Sequence, residues 1–350
     1  MINYKNKKMF IDNKNELAFS NLEKKLLNDK NATNILNCCK VLGSNELKLA
    51  FLFEYIFKID TANISKLLSV DKSAVPILLS KTKEILSVKI SFLDIENLEN
   101  LDNEIGVLTD LFYDLFNKIN YSCDIEQGFK KYFILNTVRL FELFAEVRFV
   151  NNHAIHAFLA YLYFNLSRQD TIFSKEGETI SLREQDRSKW DVELINKGLF
   201  HLEKSADGEN VTIYHLESAI SAVHCLAKSY KQTDWNKILS LYNNYLSINE
   251  SPYVELQKAA VISKIRGARE GIESIKSIRN VNQLIDNHLL YSTLGNLNLQ
   301  IHNYNQALKN YEKAYEYSDI DIDKEFYGEK VKICRQRLKM ISRYQFHNSF

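Results

Sequence analysis

Residues 61–86 read TANISKLLSVDKSAVPILLSKTKEIL. Apolar residues recur at helical spacing through Ala62, Ile64, Leu67 and Leu68, pause at Ser69 and Val70, and resume through Val75, Leu79 and Leu86. The pattern predicts a helix, a tight turn and a second helix, with these positions and Val70 facing inward. Asp60 or Thr61 can cap the first helix and Asp71 the second, because a short side-chain oxygen accepts the N–H groups that a first turn leaves free. Pro76 then falls about five residues into the second helix, near the limit at which a missing N–H is tolerated, and predicts a late start or a small kink.

The outward face of that second helix is unlike a reader of bases. Discrimination of base edges relies on paired donors and acceptors from Arg, Gln or Asn, about 1–3 kcal/mol each, whereas Ile or Leu offers only contact to a thymine methyl. Here Pro76, Ile77 and Leu78 occupy that face. Thr61, Lys66, Lys72, Ser73, Lys81 and Lys83 remain as polar candidates for DNA, suited to phosphates, which position a protein without conveying sequence. Ile77 and Leu78 are candidate contacts to another protein.

The surrounding composition sets the fold class. The chain has 350 residues with 45% hydrophobic and 25% charged residues, two prolines and ten glycines. So few breakers, combined with long Leu/Ile/Lys/Glu stretches, predict an all-α protein, and the length predicts two or more domains. The formal net charge is +1, but residues 1–90 hold fifteen lysines and nine acidic residues, a local balance of +6. Any nucleic-acid contact is therefore expected near the N-terminus. No run approaches the roughly 18 apolar residues of a membrane span, and MINYKNKKMFIDNKNE lacks the apolar centre of a signal peptide, so the expectation is a cytoplasmic protein without a membrane partner. Five cysteines, an odd number without a CxxC spacing, predict packed thiols rather than a disulfide framework or zinc site.

Five segments follow from these patterns. Residues 1–32 read as a polar arm or short helix, 33–91 as the helix-turn-helix domain, 92–106 as an acidic linker, 107–185 as a helical connecting domain, and 186–345 as a helical repeat domain. The repeat signal is strongest in YSTLGNLNLQIHNYNQALKNYEKAYEYS, where Leu294 and Gly295 are followed by Ala307, Tyr311 and Ala314 at the offsets of a tetratricopeptide unit. Such units stack into a continuous core and present a surface that binds a protein or peptide.

Other constellations read as structural. His153 and His156 in HAIH lie one turn apart but have no third ligand nearby. In EQDRSKWD, Asp186, Arg187 and Asp191 are expected to anchor a loop by a salt bridge, with Trp190 packed at a helix start and Ser188 with Asp191 forming a capping-box-like pair. Asp234 is expected to cap a helix that carries Trp235 as an aromatic knob. The Tyr/Phe-rich stretch 107–165 lacks interleaved cations and reads as core. With no phosphate-binding glycine loop, nucleophile elbow or metal motif, no cofactor, no metal and no enzymatic activity are expected.

Taken in order, several segments resemble bacterial extracytoplasmic-function sigma factors of the group with a C-terminal tetratricopeptide-like extension. The resemblance begins at ILNCCKVLGSNELKLAFLFEYIFKIDTANISKLLSVDKSAVPILLSKTKEIL and continues through IGVLTDLFYDLFNKINYS, LREQDRSKWDVELINKGL and the final repeat, covering about residues 33–340. It implies that residues 33–91 are similar to sigma region 4, which contacts the promoter −35 element and the β flap of RNA polymerase. It also implies sigma region 2, for which residues 1–32 are too short. The chain is thus expected to resemble a sigma factor reduced to region 4 and its repeats, with RNA polymerase core, promoter DNA and a protein or peptide on the repeats as partners. Two other readings stand beside it: a helix-turn-helix regulator controlled by a protein or peptide in the repeats, and an interaction scaffold derived from a sigma factor that no longer reads DNA.

Overall fold

The computed structural model describes residues 32–89, 101–121, 125–147, 153–172, 180–208, 210–318 and 321–347. The expected N-terminal arm (apart from residue 32) and residues 92–100 of the expected linker lie outside them. Among the described residues the protein is all-α, with fifteen α-helices and no strand. Two compact units divide the chain, residues 1–162 with 203–207 and residues 163–202 with 208–350.

The first unit opens with α1 (Ala32–Leu42) and α2 (Asn45–Phe51). Gly43, at φ 72°, turns the chain between them, and the Ser44 side chain accepts from the Leu47 N–H to start α2. Next come α3 (Thr61–Leu68) and α4 (Ala74–Lys89), the helices expected from residues 61–86. Then follow α5 (Leu101–Tyr121), α6 (Gln127–Ala145) and α7 (His153–Ser167). Helix α1 packs on α2, α4, α5 and α6, and α4 packs on α2 and α3.

A π turn at Leu52–Ile56 ends α2. The extra residue per turn brings the Phe57 N–H to Leu52 O and the Ile59 N–H to Phe53 O, both at 2.8 Å. Phe53 and Phe57 thereby both reach Phe112 of α5, at ring separations of 6.3 and 5.7 Å. Phe112 also stacks on Phe133 of α6 at 6.1 Å and meets Phe141 edge-on at 5.6 Å, and Phe141 meets Phe158 of α7 at 4.9 Å. Beyond the apolar area they bury, such ring pairs contribute about 0.5–1.5 kcal/mol each. The aromatic-rich stretch is core, as its lack of interleaved cations implies.

One buried ion pair crosses this unit. Lys48 Nζ of α2 lies 2.7 Å from one carboxylate oxygen of Glu104 in α5 and 2.9 Å from the other, with both side chains almost fully buried. The adjacent thiols of Cys38 and Cys39 are buried and free. Burial pushes the Cys38 thiol up to about 12 and Cys39 well above its ordinary value, the latter also through Cys38 and Glu104. Both stay protonated at neutral pH and pack as apolar groups.

The second unit is a run of helices. It comprises α8 (Val192–Ser205, whose last residues belong to the first unit), α9 (Ile213–Leu226), α10 (Trp235–Ile248), α11 (Pro252–Arg266), α12 (Ala268–Lys276), α13 (His288–Gln300), α14 (Tyr304–Tyr317) and α15 (Asp321–His347). From α9 onward each helix contacts its chain neighbour, the one-dimensional arrangement of a repeat stack. Leu216, Ile220, Ile238, Tyr242 and Val261 fill one core of the stack. Ala307, Tyr311 and Ala314 lie in the next, all fully buried.

The hairpin of α13 and α14 shows why the repeat spacing holds. A Cβ built on Gly295 would stand 3.0 Å from the Tyr311 ring, so glycine lets the aromatic lie flat on the facing helix. The Tyr311 hydroxyl donates to Asn296 Oδ1 at 2.6 Å, which pays for burying the phenol. Between α11 and α12 the approach is closer still, since a Cβ on Gly271 would fall 2.6 Å from Ser263 Cβ.

Substituting Gly271→Ala is therefore expected to cost about 1–3 kcal/mol through overpacking, measured by chemical denaturation. Lys48→Ala, which leaves the Glu104 carboxylate buried without its partner, is expected to cost about 3–5 kcal/mol, whereas the double variant Lys48→Met/Glu104→Leu should recover most of that loss. Equal stability of the single and double variants would show that the ion pair does not govern this packing.

Candidate functional site

The site predicted from sequence is the outer surface of α3 and α4. Asp60 starts α3 by accepting from the Ala62 and Asn63 N–H groups at 2.9 and 3.0 Å, and these bonds hold its carboxyl below the usual range. The helix ends at Ser69 in the left-handed region, φ 55°, and the Ser65 hydroxyl donates to Val70 O at 2.7 Å to close the turn. Lys118 of α5 donates to the Ser69 hydroxyl, tying the turn to the helix behind it. Of the expected inward positions, Ile64, Leu67, Val75 and Leu86 are buried, and Ala62, Leu68, Val70 and Leu79 are half-buried.

Helix α4 begins at Ala74, later than a cap at Asp71 implies, with the Ala74 N–H on Asp71 O at 2.9 Å. Pro76 is thus the third helical residue, where its absent N–H forfeits no intrahelical bond. The outward stripe is Ser73, Pro76, Ile77, Ser80, Lys81, Glu84 and Val88, all exposed at spacings of three and four residues. Ile77 is 69% exposed.

The structure gathers some of the predicted residues and separates others. Lys72, Ser73, Ile77 and Lys81 share one exposed strip at the start of α4, and Lys66 is exposed on α3. Thr61 is half-buried at the start of α3. Leu78 and Lys83 are also half-buried, each one position from a strip residue and so rotated by about 100°. The Leu78 carbonyl accepts from the buried Thr82 hydroxyl at 2.9 Å. The strip therefore presents two lysines, two serines and one glutamate around an apolar centre of proline and isoleucine, a surface able to meet phosphates at its edges and an apolar partner at its middle.

In the second unit, the loop 180–191 is anchored differently from its sequence reading. Among the described residues Arg187 forms no salt bridge. It donates to His224 O at 2.6 Å, Ala227 O at 2.8 Å and the Thr233 hydroxyl at 3.4 Å, and lies 4.9 Å over the Trp190 ring. The carbonyls at the C-terminal end of α9 have no intrahelical donor, so a guanidinium satisfies them at the negative end of the helix dipole. The caps are divided as well. Asp186 accepts from the Ser188 N–H, while Asp191 accepts from the Glu193 and Leu194 N–H groups and starts α8. Trp190 is buried and donates to the Thr171 hydroxyl at 3.0 Å. Asp234 caps α10 as expected, accepting from the Lys237 N–H, and Trp235 packs against Tyr230 and His224. No sequence motif joins Arg187 to residues some forty positions away, so this anchor was not legible beforehand.

No group of three or more His, Cys, Asp or Glu side chains arranged to hold a metal occurs among the described residues. No helix there is long and apolar enough to cross a membrane.

Comparison with known proteins bears on the middle of the chain. Residues 106–206, which carry α5 to α8 and the Arg187 loop, match a family of unknown function (DUF6596). An uncharacterized protein of Rhizobium meliloti (strain 1021) is 29% identical over 119 residues, 34% of this chain. That stretch spans 28% of the Rhizobium protein's length. No solved structure matches the chain.

The pH response of the Arg187 anchor follows from His224. Burial, with Arg168 and Arg187 beside it, pushes the imidazole from 6.5 down to about 4. The unfolded chain binds this proton more readily than the folded one, so the stabilisation present above pH 6.5 is lost as pH falls from 6.5 towards 4. The loss below that window is on the order of 3 kcal/mol. Stability curves measured against pH should show this slope in the wild type and a flatter one in His224→Gln.

Proposed function

We propose that this protein acts in transcription as a sigma-factor-like protein, with residues 33–91 in the place of sigma region 4. In this reading α3 and α4 contact promoter DNA near the −35 element and the β flap of RNA polymerase, and the helical repeats hold a protein or peptide partner. The observation that carries the proposal is the exposed strip at the start of α4, where Lys72, Ser73 and Lys81 flank Ile77 with Lys66 nearby on α3. The closing of the α3–α4 turn by Ser65, Ser69 and Lys118 supports it, because a groove-docking helix needs a fixed entry angle. With lysines at the rim and no Arg, Gln or Asn at the centre, binding is dominated by phosphates, weak in sequence preference and steeply dependent on salt.

A second reading draws on one observation. Pro76, Ile77 and Val88 leave an apolar line along the exposed face of α4, with Ile77 and Val88 69% and 51% exposed. Such a line favours a protein contact, as in a partner-controlled regulator or a scaffold that has ceased to read DNA.

Lys72→Glu/Lys81→Glu and Ile77→Asp separate the two. All three positions are exposed, so each change should alter stability by less than about 0.5 kcal/mol. Under the first reading, the lysine variant loses DNA retardation in a gel and its salt slope falls by about one per lost phosphate contact. Wild-type protein that neither retards promoter DNA nor co-purifies with RNA polymerase would remove the sigma-like reading. Loss of partner capture by Ile77→Asp alone, with the lysine variant unaffected, would establish the protein-contact reading.

A further inference from the structure

Among the described residues, a cluster of cations in the second unit has no carboxylate paired with it. Arg168 follows the end of α7, Arg183 and Arg187 lie in the loop 180–191, and Lys264 is in the last turn of α11. They surround Tyr230, in the 3-10 turn between α9 and α10, and His224 near the end of α9. Direct contacts place Arg187 and Lys264 in the group, and Arg168 and Arg183 join it through the influence of their charge on its members. Arg187 is fixed on the His224 and Ala227 carbonyls, Lys264 Nζ stands 5.9 Å from the Tyr230 ring centre, and Tyr230 and His224 both pack edge-on against Trp235, at 5.0 and 5.5 Å.

The charges act on one another across this space. Burial raises the Tyr230 hydroxyl above its ordinary value while Arg183 and Arg187 oppose that rise, and burial together with Arg183 lowers the Lys264 ammonium. Arg187 is lowered by burial, with Arg168 adding to the same effect.

Among the described residues, no carboxylate forms an ion pair with any of the four cations. Three acids near the cluster in sequence have partners of their own. Glu184 accepts from the Ser181 hydroxyl, Asp186 from Ser188 with Lys189 beside it, and Asp234 from the Lys237 N–H. His224 Nδ1 is buried and has no hydrogen-bond partner there. Like charges gathered from three parts of the chain, with a buried polar nitrogen among them, make a place that favours an anion.

We propose that Arg168, Arg183, Arg187 and Lys264 form a binding site for a phosphate group, with Tyr230 and His224 as its neutral hydrogen-bonding partners. Guanidinium groups present paired donors matched to a tetrahedral oxyanion, and Arg187 is held in place by its carbonyl bonds while Arg183 and Lys264 are exposed and free to close on a ligand. The phosphate is either the free ion or a phosphomonoester on a small molecule. This site is separate from the strip on α4 and does not depend on the transcription proposal.

Both tryptophans of the chain, Trp190 and Trp235, lie in this cluster, so intrinsic fluorescence reports on it directly. The full-length protein is titrated with inorganic phosphate and, separately, phenyl phosphate, at ionic strength held constant with sodium chloride. A saturable fluorescence change with either probe is expected, weakened about tenfold or more in Arg183→Gln and in Lys264→Gln. Tighter binding of phenyl phosphate identifies a phosphomonoester as the natural form, and tighter binding of inorganic phosphate identifies the free ion. Both substituted side chains are exposed, so unchanged circular dichroism should accompany the loss. The inference is overturned by no saturable change into the millimolar range, by a change that chloride alone reproduces, or by equal affinity in the wild type and both variants.

Discussion

A chain with two prolines and ten glycines must end its helices by other means, and most of this structure follows from how it does so. Short oxygen side chains do the starting. Ser44, Asp60, Asp191, Asp234, Asn287 and Asn303 each accept from a first-turn N–H. Left-handed residues do much of the turning, and several are not glycine, namely Lys58, Ser69, Asn280 and His302. A side chain in that region carries a local cost that neighbouring contacts must offset. Ser69 is met by Lys118, and the His302 ring meets the Tyr304 hydroxyl at 3.0 Å. Both prolines sit within first turns, Pro76 as the third residue of α4 and Pro252 as the first of α11, where a missing N–H breaks no helical bond.

These terminations set what each unit can present. Helix α3 ends sharply at Ser69 and α4 starts only at Ala74, and one face of α4 is left outward while Val75, Thr82 and Leu86 turn in. In the repeats, the turn at His302 and the cap at Asn303 align α13 with α14 so that Tyr311 lies over Gly295. A cap thus decides which face of the next helix meets its neighbour, and the surfaces offered to partners are what that choice leaves over.

The two candidate binding regions have different physical characters. The strip on α4 is exposed, with its lysines in water, so its contacts are screened by salt and weak one by one. Around Tyr230, Arg168 and Arg187 are half-buried, where charge acts more strongly and an anion gains more from arriving, while Arg183 and Lys264 reach into solvent. The first suits a long polyanion or a broad protein surface, and the second a compact ligand.

Several features were legible in the sequence by itself. Helical periodicity, scarce breakers and side-chain oxygens before apolar runs determined an all-α chain, the two helices and intervening turn over residues 61–86, the Asp60 and Asp234 caps and the hairpin built on Gly295 and Tyr311. All are local, reaching at most a few turns along one helix or across one hairpin, so spacing alone encodes them. The tertiary structure decided the rest: Leu78 and Lys83 turned partly inward while Ile77 and Lys81 stayed out, Arg187 bound to the end of α9 instead of an acid, Lys48 buried against Glu104, and four cations drawn together from three parts of the chain. These depend on which helix lies against which, and a pairing across 37 or 56 residues leaves no periodic trace in a single sequence.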